Sequence, residues 1–196
     1  MNREDISKLH YITPIDNICS IMEHGILCHR KAKRFSHVSV ALEEVQDKRA
    51  GKNVPGGRPL HEYVNLYISA RNPMLFKRRL QHEEICVLIV SPNVLDLPGV
   101  VITDGNAASD YTIFLPSPSG LKKVDKDLVF AEYWTDPDEF KQWEKKRVKC
   151  AEVLVPDKID TTYIIGAYVS CSSSAQAVNY LEVGLSISIN PNLFFR

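Results

Sequence analysis

Lys149-Cys150-Ala151-Glu152-Val153-Leu154-Val155-Pro156 places one carboxylate inside an otherwise apolar run. Its β-branched content predicts a strand over 150–155. Strand alternation puts Glu152 on the same face as Cys150 and Leu154. A carboxylate on a half-apolar face must be solvated, paired, or put to chemical use. Solvation at a sheet edge is the commoner situation for Glu.

Working outward from this strand, the charged stretch Asp138–Lys149 reads as a helix that feeds directly into it. Further strands are predicted at 63–69, 85–90, 100–103, 111–115, 163–170 and 185–189, from β-branched and aromatic runs. Thr13-Pro14-Ile15-Asp16 reads as a helix start, with Thr13 as cap and Pro14 in the first turn. Gly25 suits that helix's end. Residues 39–49 read as a polar helix, 52–59 as a Pro/Gly loop and 172–181 as a last helix. Many strands with helices before and after them predict one α+β domain over 1–196, with a mixed and mostly antiparallel sheet.

Length and composition agree with one globular domain. The chain has 196 residues, 44% hydrophobic and 24% charged. No run approaches the roughly 20 apolar residues of a membrane span. Met1 to Lys8 carries charges of both signs and no apolar run, so it is not read as a secretory signal. Five cysteines without a CxxC pair read as reduced thiols of a cytoplasmic protein. The six histidines lack matched ligand spacing, so no metal is expected. The net charge is zero but uneven: residues 1–82 hold 14 Lys and Arg against 8 Asp and Glu, and residues 83–196 hold 10 against 16. A local basic face can still attract nucleic acid. GxGxxG, GxxxxGK[ST], HExxH and GxSxG are all missing, so Rossmann, P-loop, zincin and serine-hydrolase readings lack support.

Three further groups can carry chemistry. Arg49 ends the polar helix; it is either a solvated helix end or a planar phosphate clamp. His10, Tyr11, Thr13 and Asn17 cluster at a strand-to-helix junction, where free backbone amides can meet an anion or an amide. Basic clusters at 29–34, 77–79 and 145–147 are each a solvated face or part of a single-strand groove. Near the last cluster lie Tyr133, Trp134 and Trp143, and aromatics among cations suit such a groove.

Taken in order, the blocks are more specific than any one of them. Ile12-Thr13-Pro14-Ile15-Asp16-Asn17-Ile18, Val45-Gln46-Asp47-Lys48-Arg49, residues 54–67, Arg71-Asn72-Pro73-Met74-Leu75 and Ala151–Pro156 together resemble the DarT family of DNA ADP-ribosyltransferase toxins. Thr103-Asp104-Gly105-Asn106-Ala107 resembles it too. The resemblance implies an ADP-ribosyltransferase-like split β-sandwich core with flanking helices and an NAD cleft. It implies Glu152 and Arg49 as catalytic residues. Residues 10–17 and Arg49 would contact NAD, with Tyr63 or Tyr67 stacking on it. The stretch from Tyr133 to Lys149, with Trp134, Trp143, Lys145, Lys146 and Arg147, would recognise the substrate. It further implies a monomer that uses NAD without a metal, acts on single-stranded DNA, and is restrained by an antitoxin ADP-ribosyl hydrolase of macrodomain or NADAR type. The family's thymine-modifying members carry His at the position of Tyr11, and here the His is displaced to His10. The target base is thus guanine or thymine, with a slight lean to guanine. RNA or protein as acceptor, or a non-catalytic single-strand-binding module, are the competing readings.

Overall fold

The structure is a computed structural model, and it describes residues 1–40 and 43–196. In chain order the elements are β1 (Leu9–Pro14), α1 (Ile18–His24), β2 (Ile26–Leu27), α2 (His29–Ala32), α3 (Glu43–Ala50), β3 (Tyr63–Tyr67), α4 (Pro73–Lys77), β4 (Ile85–Val90), β5 (Val101–Thr103) and β6 (Phe114–Pro116). There follow α5 (Lys126–Phe130), α6 (Glu139–Lys149), β7 (Glu152–Pro156), β8 (Lys158–Ile159), β9 (Ile164–Val169), α7 (Ser172–Tyr180) and β10 (Ile187–Ile189). Eight strands form one sheet in the order β10-β9-β4-β1-β3-β7-β5-β6, and β2 pairs with β8 apart from it. Every pairing in the large sheet is antiparallel except β10 with β9.

The sheet is weakest at its middle. β1 and β4 pair over six register positions and β3 and β7 over five, but β1 meets β3 at a single position, His10 with Tyr67. The two halves part along this seam. Apolar side chains of both halves, among them Leu9, Ile18, Leu66, Leu88, Val90, Ile102, Val153 and Val169, make one continuous core. Burial of such side chains stabilises the fold by about 1.5–3 kcal/mol each.

Several expectations shift at their edges. Pro14 does not open a helix; it is the last residue of β1, opposite Ile85. A 3₁₀ turn over 15–17 separates it from α1. Thr13 therefore caps nothing, and its hydroxyl instead accepts from the Asn17 amide at 3.2 Å. Tertiary pairing with β4 outweighs the local helix signal. The strand expected from Tyr111 begins only at Phe114, because residues 104–112 curl into turns held by Asp104 and Asn106 side chains. The polar helix expected over 39–49 is observed from Glu43 to Ala50, and residues 41 and 42 lie outside the described residues. Cys28, Cys86 and Cys150 are buried, and all five cysteines are free thiols. Among the described residues no helix is long and apolar enough to cross a membrane.

Candidate active site

The seam opens into a cleft of about 340 Å³. Tyr11–Pro14 of β1, Tyr63, Val64, Asn65 and Tyr67 of β3, and Glu152 at the start of β7 line it. Glu152 belongs to an interior strand, hydrogen-bonded between β3 and β5, and is 1% exposed. This rules out the solvated-edge alternative. Arg49 is likewise no solvated helix end, at 6% exposed.

The two meet. Arg49 Nη1 lies 3.0 Å from Glu152 Oε2 and 3.3 Å from Oε1. The Ala107 backbone amide donates to Oε1 at 3.0 Å. The strand is fixed from below by Thr103, whose Oγ1 accepts from the Glu152 amide at 3.0 Å and donates to the Gly105 carbonyl at 2.7 Å. A charge-assisted pair and a backbone amide together orient the buried carboxylate. A carboxylate has about four acceptor sites. Three are occupied here, which leaves room on Oε2 for a ligand hydroxyl.

Around this anion the cleft is short of mobile protons. Burial, with Glu152 next, pushes the Tyr67 phenol well above its ordinary value. Burial raises Tyr11 and Cys150 to about 12. The His29 and His61 rings meet at a 37° tilt, 4.1 Å between centroids, and line the same cleft. Burial, the neighbouring His61, and Lys33 hold His29 down to about 4. Burial, then Arg49, lowers His61. Both imidazoles are neutral near pH 7.

The residues singled out from the sequence separate into groups. Tyr11, Thr13, Asn17, Arg49, Tyr63, Tyr67, Trp143, Lys146, Arg147 and Glu152 all line the cleft. His10 is not among them. Its ring lies against Tyr168, its Nδ1 is 3.3 Å from the Tyr67 carbonyl oxygen, and burial lowers it to about 4. Tyr133 and Trp134 line a second cavity, which shares Pro73, Lys77 and Lys146 with the first. Lys145 pairs with Asp136 at 2.8 Å. Arg147 turns inward to Asp104 at 3.1 Å and Glu144 at 2.8 Å. Its guanidinium is therefore a strut between α6 and the 103–107 loop rather than a free phosphate ligand, and Gly105 leaves the room it occupies. Sequence reading missed the support given by Thr103 and Ala107, and the His29–His61 pair. The 103–107 motif was the one available signal. His82, Glu83 and Cys171 are the only group among the described residues that could hold a metal ion, and none of them lines the cleft.

The family model described as ssDNA thymidine ADP-ribosyltransferase, DarT, matches residues 10–195. The chain belongs to the DarT family. A DNA ADP-ribosyl transferase–DNA ADP-ribosyl glycohydrolase fusion protein of Thermosipho africanus is 34% identical over 96% of this chain and 49% of its own length. The chain thus spans about half of that relative. A DNA ADP-ribosyl transferase of Thermus sp. is 30% identical over 76% of this chain and 74% of its own. The Thermus sp. 2.9 DarT solved with ADP-ribosylated ssDNA superposes with a TM-score of 0.85 at 24% identity, over 99% of both chains. The same protein with NAD+ gives 0.80 at 23% identity, over 96% of this chain and 98% of that one. At those identities the likeness shows the fold, a mixed α+β domain with a large central sheet and flanking helices, as the family resemblance implied.

Proposed function

We propose that this chain transfers ADP-ribose from NAD to a base of single-stranded DNA. The observation that carries the reading is the buried Glu152 held by Arg49 and the Ala107 amide at the floor of the cleft. When the bond between nicotinamide and ribose C1′ breaks, its electron pair goes to the pyridinium nitrogen. Positive charge then grows on the ribose. A fixed anion in a desolvated cleft lowers that barrier. The free side of Glu152 Oε2 accepts a ribose hydroxyl. The base nitrogen attacks C1′, a new N–C bond forms, and the base proton passes to Glu152 or to solvent.

Arg49 sits on the carboxylate itself. This position favours orienting Glu152 and the incoming base over a remote grip on the pyrophosphate. Tyr11, Thr13, Asn17, Tyr63 and Tyr67 form the NAD wall; His10 contributes through the β1–β3 seam. Trp143 and Lys146 face the acceptor. A base must leave its stack to reach the cleft, so single strands are preferred.

The target is thymine, as the family description names thymidine, or guanine, for which the displacement of His10 out of the cleft speaks. The glycohydrolase fused to the Thermosipho africanus relative supports an ADP-ribosyl hydrolase, of macrodomain or NADAR type, as the restraining partner of a toxin. We take the chain to act as a monomer, in the cytoplasm and without a metal. Labelled NAD and single-stranded oligonucleotides of mixed sequence test the proposal. Label should enter DNA, and mass analysis of the product names the base. Glu152→Ala should lower transfer by about 10²–10³-fold with the fold intact, the usual cost of removing one charge-stabilising group. Label found on protein alone would contradict the DNA reading.

A further inference from the structure

The second cavity is built differently from the first. Phe76 of α4, Trp134 and Phe195 each stand edge-on to the other two, with centroids 5.0 to 5.8 Å apart. The Arg71 guanidinium lies 4.1 Å from the centroid of Phe195, and that of Arg79 lies 4.2 Å from that of Phe76. Each is anchored to a backbone carbonyl, of Asn192 and Phe76 respectively. Among the described residues neither arginine has a carboxylate partner, and neither Lys77 nor Lys146 has one. This sets them apart from Lys145 and Arg147, whose charges are already matched. Glu132 is the one acidic side chain that lines the cavity among these cations.

Guanidinium groups without carboxylate partners, 4.1 and 4.2 Å from aromatic ring centroids, put phosphate donors beside a stacking surface. Single-stranded nucleic acid needs both: bases stack on aromatic faces and phosphates meet cations. An acidic peptide would use the cations but not the rings. Pro73, Lys77 and Lys146 belong to both cavities, so the two adjoin and a strand leaving the cleft on this side meets the groove next.

We propose that the Phe76–Trp134–Phe195 groove is a second nucleic-acid subsite, which holds the nucleotides flanking the modified base on one side. This rests on the acceptor reading above and adds a site to it. The bases lie on the aromatic triad. Arg71 and Arg79 hold the phosphates. The groove therefore sets how much flanking strand the protein senses, while the cleft sets the base.

The test is fluorescence anisotropy of a labelled single-stranded oligonucleotide on the full chain, across a salt series, without NAD. Trp134→Ala should weaken binding about tenfold or more, and Trp134→Phe should restore most of it. Arg79→Ala should lower the slope of log affinity against log salt by about 0.7, the share of one phosphate contact on a single strand. Lys122→Ala, in an exposed turn outside both cavities, should leave affinity and slope unchanged. Thermal melting separates loss of binding from loss of fold, and the Trp134→Phe variant keeps the test usable if Trp134→Ala unfolds. Unaltered affinity in Trp134→Ala, or displacement of the oligonucleotide by polyglutamate at equal charge concentration, would overturn the proposal. Transfer from NAD is measured in parallel. Groove binding that depends on Trp134, with no transfer to any oligonucleotide, would support the groove while removing the catalytic reading.

Discussion

The last turn of α6 and the first residue of β7 are three positions apart and treat charge in opposite ways. Lys145, Lys146 and Arg147 read as one basic cluster, with Lys149 just beyond it, yet helical geometry sends these four side chains in different directions. Lys145 reaches Asp136, Lys146 faces the cleft, Arg147 braces the 103–107 loop, and Lys149 is buried. Lys149 donates to the Val129 carbonyl at 2.7 Å and to that of Ala131, and burial lowers its ammonium to about 8. Glu152, a single charge in an apolar run, gathers its partners from α3 and from the loop after β5. Several charges adjacent in sequence thus serve several structural ends. A lone charge that the fold surrounds with donors is the one positioned for chemistry.

This contrast can be broken at Arg49 first. Arg49→Ala should lower transfer about 10²-fold or more, and Arg49→Lys should recover little of it: Nη1 alone meets both carboxylate oxygens, and a lysine ammonium has none of the guanidinium's further N–H donors to orient the incoming base. Full rescue by lysine, measured as kcat/KM for transfer, would reduce Arg49 to a simple counter-charge. Arg147→Ala should act on stability instead. It leaves Asp104 and Thr112 without their shared partner in a partly buried site. We expect a loss of about 1–3 kcal/mol in denaturant unfolding, as when a buried polar group loses its hydrogen-bond partner. An unchanged unfolding midpoint with weakened DNA binding would return Arg147 to the DNA surface.

The pH dependence gives a smaller effect with a definite sign. His10 and His29 titrate near 4 in the folded protein, against 6.5 for the free side chain. Between those values the unfolded chain holds more protons, so stability falls as pH falls from about 6.5 toward 4. Above that window their contribution is fully present. His10→Gln should flatten the part due to the β1–β3 seam, read as unfolding midpoints at pH 4.5, 5.5 and 7.5. An equally steep acid limb in the variant would place the pH sensitivity elsewhere.

Local signals carried the regular elements well. The run 85–90 is apolar throughout and rich in β-branched residues, and β4 spans those residues. The charged stretch before Cys150 forms α6, with Asp138 as its cap. Local signals failed where distant pairing decided the outcome. Thr13-Pro14 has the composition of a helix start, but the β1–β4 ladder extends through Pro14, and His10 consequently sits at the seam, outside the cleft lining. The site was legible as an ordered set of motifs that brought Glu152 and Arg49 forward together. Their contact across 103 residues, and the amide that Ala107 supplies, follow only from the folded sheet. The contact of His29 with His61 left no mark in the sequence, because it depends on α2 packing against the turn before β3.

The most direct measurement is single-turnover transfer from labelled NAD by Glu152→Gln, with NAD affinity measured by calorimetry on the same protein. Glutamine keeps the shape of the side chain and removes its charge. NAD binding should stay within a few-fold of the parent chain while the transfer rate falls by about 10³-fold, since the anion acts on charge that develops as nicotinamide departs. Transfer by Glu152→Gln at the parent rate would contradict this role of the anion.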